Sequence, residues 1–319
     1  MTGNLDLGGN SIVDLAAITA GDIVLDSSVS PPTPVAGDVG IIAQNWGEII
    51  PSWLNPDGYT YALQQSLYAN PGSWHLTVPI GGGLTSYGEA AGVLDTSVAS
   101  GVQTAVTDDY TRTRKGVITS AAAAIWRSAG WWCTSQATNL NYYVGDAANH
   151  GGFYFYCSFW PTTWVGNGGT LYVGLTSYNA APMTGDNTHQ TDPSAKAYSG
   201  VGLGCDSGDA SVMSLYTSDG SGTTTKTAIA GIPTLTSGTV TPNYVRLIIY
   251  NAPNSAVIKY RVDKMASGVW TNVVNSSVTG LAHMPVNTTF MMPTATISSG
   301  SVIATCALSI NKMFCYGLM

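Results

Sequence analysis

Residues able to do acid, base, nucleophilic or metal chemistry are few and scattered in this 319-residue chain. It has two glutamates, Glu48 and Glu89, in unlike surroundings, and sixteen aspartates that mostly adjoin Gly, Ser, Asn or Pro. Cleavage of a glycosidic bond generally uses two carboxyl groups at a set separation, and the sequence marks out no such pair. His75, His150, His189 and His283 stand singly, without HExxH or another metal-ligand spacing. There is no GxSxG elbow and no P-loop. Gly200-Val201-Gly202-Leu203-Gly204 lacks the helix and acidic partner of a dinucleotide site, so it reads as glycine alternation within a strand. Asp206-Ser207-Gly208-Asp209 sets two carboxylates three residues apart, and calcium would need backbone carbonyls and a third acid to join them. Asp and Gly are also ordinary turn residues, and a turn is the expectation both there and at Asp219-Gly220-Ser221-Gly222. The chain is therefore expected to be no enzyme and to hold no cofactor and no metal.

The aromatic residues are the stronger functional clue. Nine tryptophans and seventeen tyrosines against five phenylalanines favour rings with a polar edge, which suit interfaces and stacking on sugars. Trp160 and Trp164 flank a Pro/Thr stretch and precede Asn167-Gly168-Gly169. Trp160, Trp164 and Asn167 are therefore the candidate exposed contact for a receptor or glycan, with burial in the core or a subunit interface as the plainer alternative for any single tryptophan.

The elements that must position these residues read as strands. In GGFYFYCSFW, Phe153, Phe155, Cys157 and Phe159 alternate with Tyr154, Tyr156 and Ser158, the period of two of a half-buried strand. TLYVGLTSY, SVMSLYTSDG, YVRLIIYN, SAVIKYRVDK, GVWTNVVNSSV and SVIATCALSINKMFCY are strand-sized runs at intervals of roughly ten residues, as in a sandwich or jelly roll. Turns are expected at Asn55-Pro56-Asp57-Gly58, Pro253-Asn254 and Ser267-Gly268, and one short helix near 89–100. Charged residues make up 9% of the chain against about 25% in ordinary soluble domains. The net charge of −7, with Arg112, Arg114 and Lys115 as the one basic cluster, speaks against nucleic acid. No stretch has the 18 or more apolar residues of a membrane-spanning helix. Five cysteines without paired spacing read as buried small hydrophobes, and the N-terminus lacks the pattern of a Sec signal.

By texture the chain divides into three. Residues 1–36 alternate short apolar pairs with Gly, Asn and Asp before Pro31, Pro32 and Pro34. Leu5, Leu7, Ile12, Leu15 and Ile23 are too thin a set to be buried within one chain, and a threefold bundle of copies would cover them. Residues 37–114 form a small β-rich connecting region, and residues 115–319 a β-sandwich tip domain. The expected fold is all-β: a C-terminal antiparallel β-sandwich of jelly-roll or concanavalin-like kind behind a short extended N-terminal fibre or attachment segment.

The ordered series GDVGIIAQ, DGYTYALQQSLY, KGVITSAAAAI, the Gly-Gly-Phe-Tyr-Phe block, LYVGLTSYNAAP, GVGLGCDSGDASVMSLYTSDGSGTTTK and YVRLIIYNAPNSAVIKYRVDKM resembles a fibre-type virion protein of tailed bacteriophages. GNLDLGGNSIVDLAAI is similar to the stalk repeats of phage tail fibres. Where that family often has Arg-Gly-Asn before the Gly-Gly-Phe block, this chain has Tyr143-Val144-Gly145-Asp146. The stretches Trp160 to Thr170 and Met183 to Ala195 look like longer loops. The resemblance implies a homotrimeric fibre or spike, made in the host cytoplasm and exposed on the virion. It would attach to tail, neck or capsid proteins through residues 1–36 and adhere to a host-surface glycan or protein, without membrane insertion. A head fibre or capsid decoration protein and a tailspike depolymerase are the alternatives.

Overall fold

The structure is a computed structural model. It describes backbone strands between residues 40 and 133, and the chain with its side chains from 142 to 317, apart from short stretches, the longest of them 178–191. The stalk residues Leu5, Leu7, Ile12, Leu15 and Ile23 lie outside the described residues, as does the Asn55-Pro56-Asp57-Gly58 turn. Two compact units are present, one comprising Met1–Gln44 and Ile49–Leu63, the other Asn45–Glu48 and Gln64–Met319. In the first, β1 (Gly40–Asn45), β2 (Ile49–Leu54) and β3 (Thr60–Ala62) form a three-stranded sheet in that order.

The second unit is an all-β antiparallel sandwich, the class the strand pattern predicts. Its early strands are short: β4 (His75–Thr77), β5 (Leu94–Asp95), β6 (Val102–Gln103), β7 (Gly116–Thr119) and β8 (Ser128–Cys133). Longer ones follow: β9 (Phe153–Trp164), β10 (Thr170–Thr176), β11 (Ser199–Cys205), β12 (Ser214–Asp219) and β13 (Thr224–Ala228). The last are β14 (Gly238–Thr239), β15 (Val245–Asn251), β16 (Val257–Ala266), β17 (Val269–Thr279), β18 (Met292–Ser298) and β19 (Ala307–Gly317).

One sheet runs β13-β12-β11-β10-β18-β8-β5. The other runs β17-β16-β15-β9-β19-β7-β6, with β14 on β9 and β4 on β19. Strands β4, β5 and β6, from the stretch read as a connecting region, thus pair with β19, β8 and β7 of the sandwich. Leu94–Asp95 is a strand where the sequence suggested a short helix.

The core lies where the period of two places it. Phe153, Phe155, Cys157 and Phe159 of β9 face Leu171, Val173 and Leu175 of β10 and Val201 and Leu203 of β11, all fully buried. Burying side chains of this size stabilises the fold by about 1.5–3 kcal/mol each. Cys157, Cys205, Cys306 and Cys315 are buried and outside any disulfide, as their lack of pairing implies. Burial pushes the thiols of Cys157 and Cys205 well above the usual cysteine value and that of Cys306 up to about 12, so none is poised as a nucleophile.

The glycine alternation has a packing cause. Gly200, Gly202 and Gly204 share one face of β11 with Tyr172 and Tyr216 of its neighbours. A Cβ at Gly202 would stand 2.7 Å from Tyr172 Cζ, and one at Gly200 2.9 Å from the Tyr198 ring. The bare strand lets the tyrosine rings lie down on the sheet. Tyr172 meets Tyr198 and Tyr216 edge to face at 5.7 and 6.3 Å, a favoured aromatic geometry.

Candidate functional site

Trp160 and Trp164 are not an exposed contact surface. Strand β9 continues through Pro161 to Trp164 instead of ending in a loop, and both indoles are buried, at 0% and 1% exposure. The register against β19 pairs Leu308 with Pro161 and Ala307 with Thr163, skipping Thr162. Such a bulge swaps the faces of the residues beyond it, which turns Trp164 inward to lie against Gly169. The indole's large apolar area makes burial the stronger pull, although both Nε1 atoms go without a hydrogen-bond partner. Asn167 alone of the three is exposed, in the turn between Gly166 and Gly168, both at positive φ.

Asp206 and Asp209 form the expected turn, with Asp209 N–H donating to Asp206 O at 3.2 Å and Asp206 N–H to Asp209 Oδ1 at 3.1 Å. A lysine supplies the cation. Lys226 Nζ lies 2.7 Å from Asp206 Oδ2 and 2.5 Å from Asp209 Oδ2. Partial burial alone would lower the Lys226 pKa, but the hydrogen bonds and charges of the two aspartates hold it above the usual lysine value. Nearby, Asp192 accepts from Ser207 N–H at 2.7 Å and from Ser207 Oγ at 3.0 Å. Asp263, fully buried, is likewise matched by Arg246 at 2.6 Å and Arg261 at 2.8 Å. Among the described residues no group of three or more His, Cys, Asp or Glu could hold a metal ion. Asp219 caps its own turn by accepting from Ser221 Oγ at 2.5 Å and from Ser221 N–H at 2.8 Å, bonds that keep its carboxyl below the usual range. His150 pairs with Asp146 at 3.1 Å on the surface, and His283 is exposed.

What the sequence did not reveal is a cleft at one end of the sandwich, of about 280 Å³. Three segments far apart in the chain build it: the approach to β9 (Val144), the β15–β16 hairpin (Asn254, Ser255, Ala256) and the loop before β18 (Met284, Pro285, Val286, Asn287). Backbone hydrogen bonds clasp them together. Gly145 N–H donates to Asn287 O at 3.0 Å, Asn254 N–H to Val144 O at 2.9 Å, and Gly152 N–H to Tyr143 O at 2.9 Å. Tyr142 and Met291 exchange a pair of bonds at 2.9 and 2.7 Å.

Local sequence makes the clasp possible. Gly145, at φ 109°, brings its α-carbon so near His150 O that a Cβ would overlap it, and Gly151 and Gly152 also sit at positive φ. The Pro253-Asn254 turn occurs as expected, with Asn254 at φ 53°, a conformation asparagine tolerates better than most residues. Asn251 Nδ2 ties the hairpin by donating to Ser255 O at 2.9 Å and Val257 O at 3.0 Å.

Of the lining residues, Val144, Met284 and Pro285 are buried, and Val286, Asn254 and Asn287 are exposed. Both asparagines take part in the clasp through backbone atoms, Asn254 by its N–H and Asn287 by its carbonyl oxygen. None of the eight lining residues is ionisable. Phe290, 44% exposed on the same loop, meets Tyr143 edge to face at 5.2 Å. The signals for this site were the Tyr143-Val144-Gly145-Asp146 departure, the paired glycines at 151–152 and the Pro-Asn turn.

No family model and no curated protein matches the chain. Among solved structures, a protein of unknown function from Shewanella oneidensis MR-1 is similar over 81% of this chain and 94% of its own, at 10% identity and a TM-score of 0.43. Peanut lectin is similar over 77% and 96%, at 12% identity and a TM-score of 0.40. Arcelin-5, a lectin-like defence protein from Phaseolus vulgaris, is similar over 77% and 98%, at 7% identity and a TM-score of 0.44.

Proposed function

We propose that the chain is a non-enzymatic adhesin, the outward-facing sandwich of a homotrimeric bacteriophage fibre or spike, which holds a host-surface glycan in the end cleft. The observation that carries this reading is the cleft itself, a concavity on a backbone-clasped scaffold lined by apolar residues and two asparagines, with no ionisable lining group. A neutral, hydroxyl-rich ligand matches such a lining, because carboxamides both donate and accept hydrogen bonds and apolar side chains cover the C–H face of a sugar ring. A hydrolytic site would need carboxyl groups able to change protonation state, and among the described residues the buried aspartates, Asp206 and Asp263, are committed to Lys226, Arg246 and Arg261. The virion assignment, the trimer and attachment through residues 1–36 rest on the ordered sequence blocks and the thin apolar pattern of the N-terminal segment.

The test is retention of the purified full chain on an array of bacterial surface polysaccharides, with reducing ends assayed in parallel. Retention without new reducing ends is expected. Release of reducing ends would replace the adhesin with a depolymerase. Absence of retention on every polysaccharide and on bacterial cells would overturn glycan adhesion in favour of a capsid-coating role.

A further inference from the structure

The chemistry of the cleft narrows its ligand. Resting on the reading of that cleft as a glycan site, we propose that it selects a sugar bearing an acetamido group over the corresponding plain, amino or acidic sugar. At about 280 Å³ it is at the lower end of small-molecule sites, which run roughly 300–1,000 Å³, so it takes one sugar unit rather than a length of chain. Val144, Met284, Pro285 and Val286 offer a patch with no hydrogen-bonding side chain. A hydroxyl placed there would lose its water and gain no partner. A methyl group placed there gains by burial. Asn254 of the hairpin and Asn287, next to Val286, are the amide-bearing residues of the lining, and an amide is their natural complement, since its N–H meets a carboxamide oxygen and its C=O a carboxamide NH₂. The acetamido group is the common sugar substituent that joins a methyl to an amide. Carboxylate and ammonium sugars are disfavoured because the lining has no countercharge, and a desolvated charge without a partner is costly.

The experiment is competition for the full chain bound to its polysaccharide, using N-acetylglucosamine, N-acetylgalactosamine, glucose, glucosamine and glucuronic acid as soluble probes. The acetamido sugars are expected to compete at least tenfold more strongly than the other three. Asn254→Gly, which suits the positive φ, and Asn287→Ala should each weaken that competition about tenfold while leaving the thermal midpoint unchanged. Equal competition by glucose, or stronger competition by the charged sugars, overturns the acetamido assignment and leaves glycan adhesion standing. Retention on polysaccharide that neither Asn254→Gly nor Asn287→Ala alters places the ligand elsewhere and overturns the cleft as the site. A chain retained on no polysaccharide fails at the earlier reading.

Discussion

At the scale of single residues, buried polar atoms set the sharpest expectations. Trp164→Ala removes a fully buried indole and should cost about 3–5 kcal/mol, read as a lower urea midpoint. An unchanged midpoint with lost adhesion would return Trp164 to the surface role its sequence context suggested. Tyr172, Tyr198 and Tyr216 are held above the ordinary phenol value first by burial, and in Tyr198 and Tyr216 also by the charge of Asp206. The unfolded phenols ionise near pH 10 while the folded ones stay protonated, so the folded state binds more protons above that pH. The stability these groups contribute is therefore complete below about pH 10 and drains away as pH rises past it. Lys226, also raised, acts in the same direction. In an alkaline titration, absorbance at 295 nm should show part of the tyrosine signal withheld until a cooperative step that coincides with loss of circular dichroism. Complete, smooth ionisation near pH 10 with the dichroism intact would contradict the packing of these rings.

At the scale of elements, the glycines divide into two kinds with separable consequences. Gly202→Ala drives a Cβ into Tyr172 and Val173 O at 2.7 Å and should destabilise the whole sandwich by roughly 1–3 kcal/mol, seen as a lower denaturation midpoint. Gly145→Ala meets both a positive φ and His150 O, but in a loop outside the sheets. It should abolish glycan retention while moving the midpoint less than Gly202→Ala does, and the reverse order would show that the clasp is part of the folding core. Strand existence was legible here because alternation is local: β9, β15, β16 and β17 fall within a few residues of the runs that predicted them. The end of β9 was not legible. Pro161 and two threonines resemble a loop, and only pairing with β19 and β14 keeps that stretch extended. Likewise SVIAT, read as part of the last strand, precedes β19, which begins at Ala307.

At the scale of the whole molecule, light scattering of the full chain and of a form lacking residues 1–36 separates the assembly models. A trimer that falls to monomer on truncation is expected from the apolar pattern of Leu5, Leu7, Ile12, Leu15 and Ile23. A trimer in both would move the interface into the sandwich, and a monomer in both would sink the fibre reading. The sequence by itself determined the all-β class, the inward face of β9 and the turn at Asp206–Asp209, because each depends on residues within about ten positions of one another. Tertiary structure alone decided the burial of Trp160 and Trp164, the matching of Asp206 and Asp209 by Lys226, and the cleft. Val144, Asn254 and Met284 are more than a hundred residues apart from first to last, and no local preference brings them together. They meet because β9, β15 and β18 reach the same end of a two-sheet core, and hydrogen bonds between loops then fix which side chains share the space.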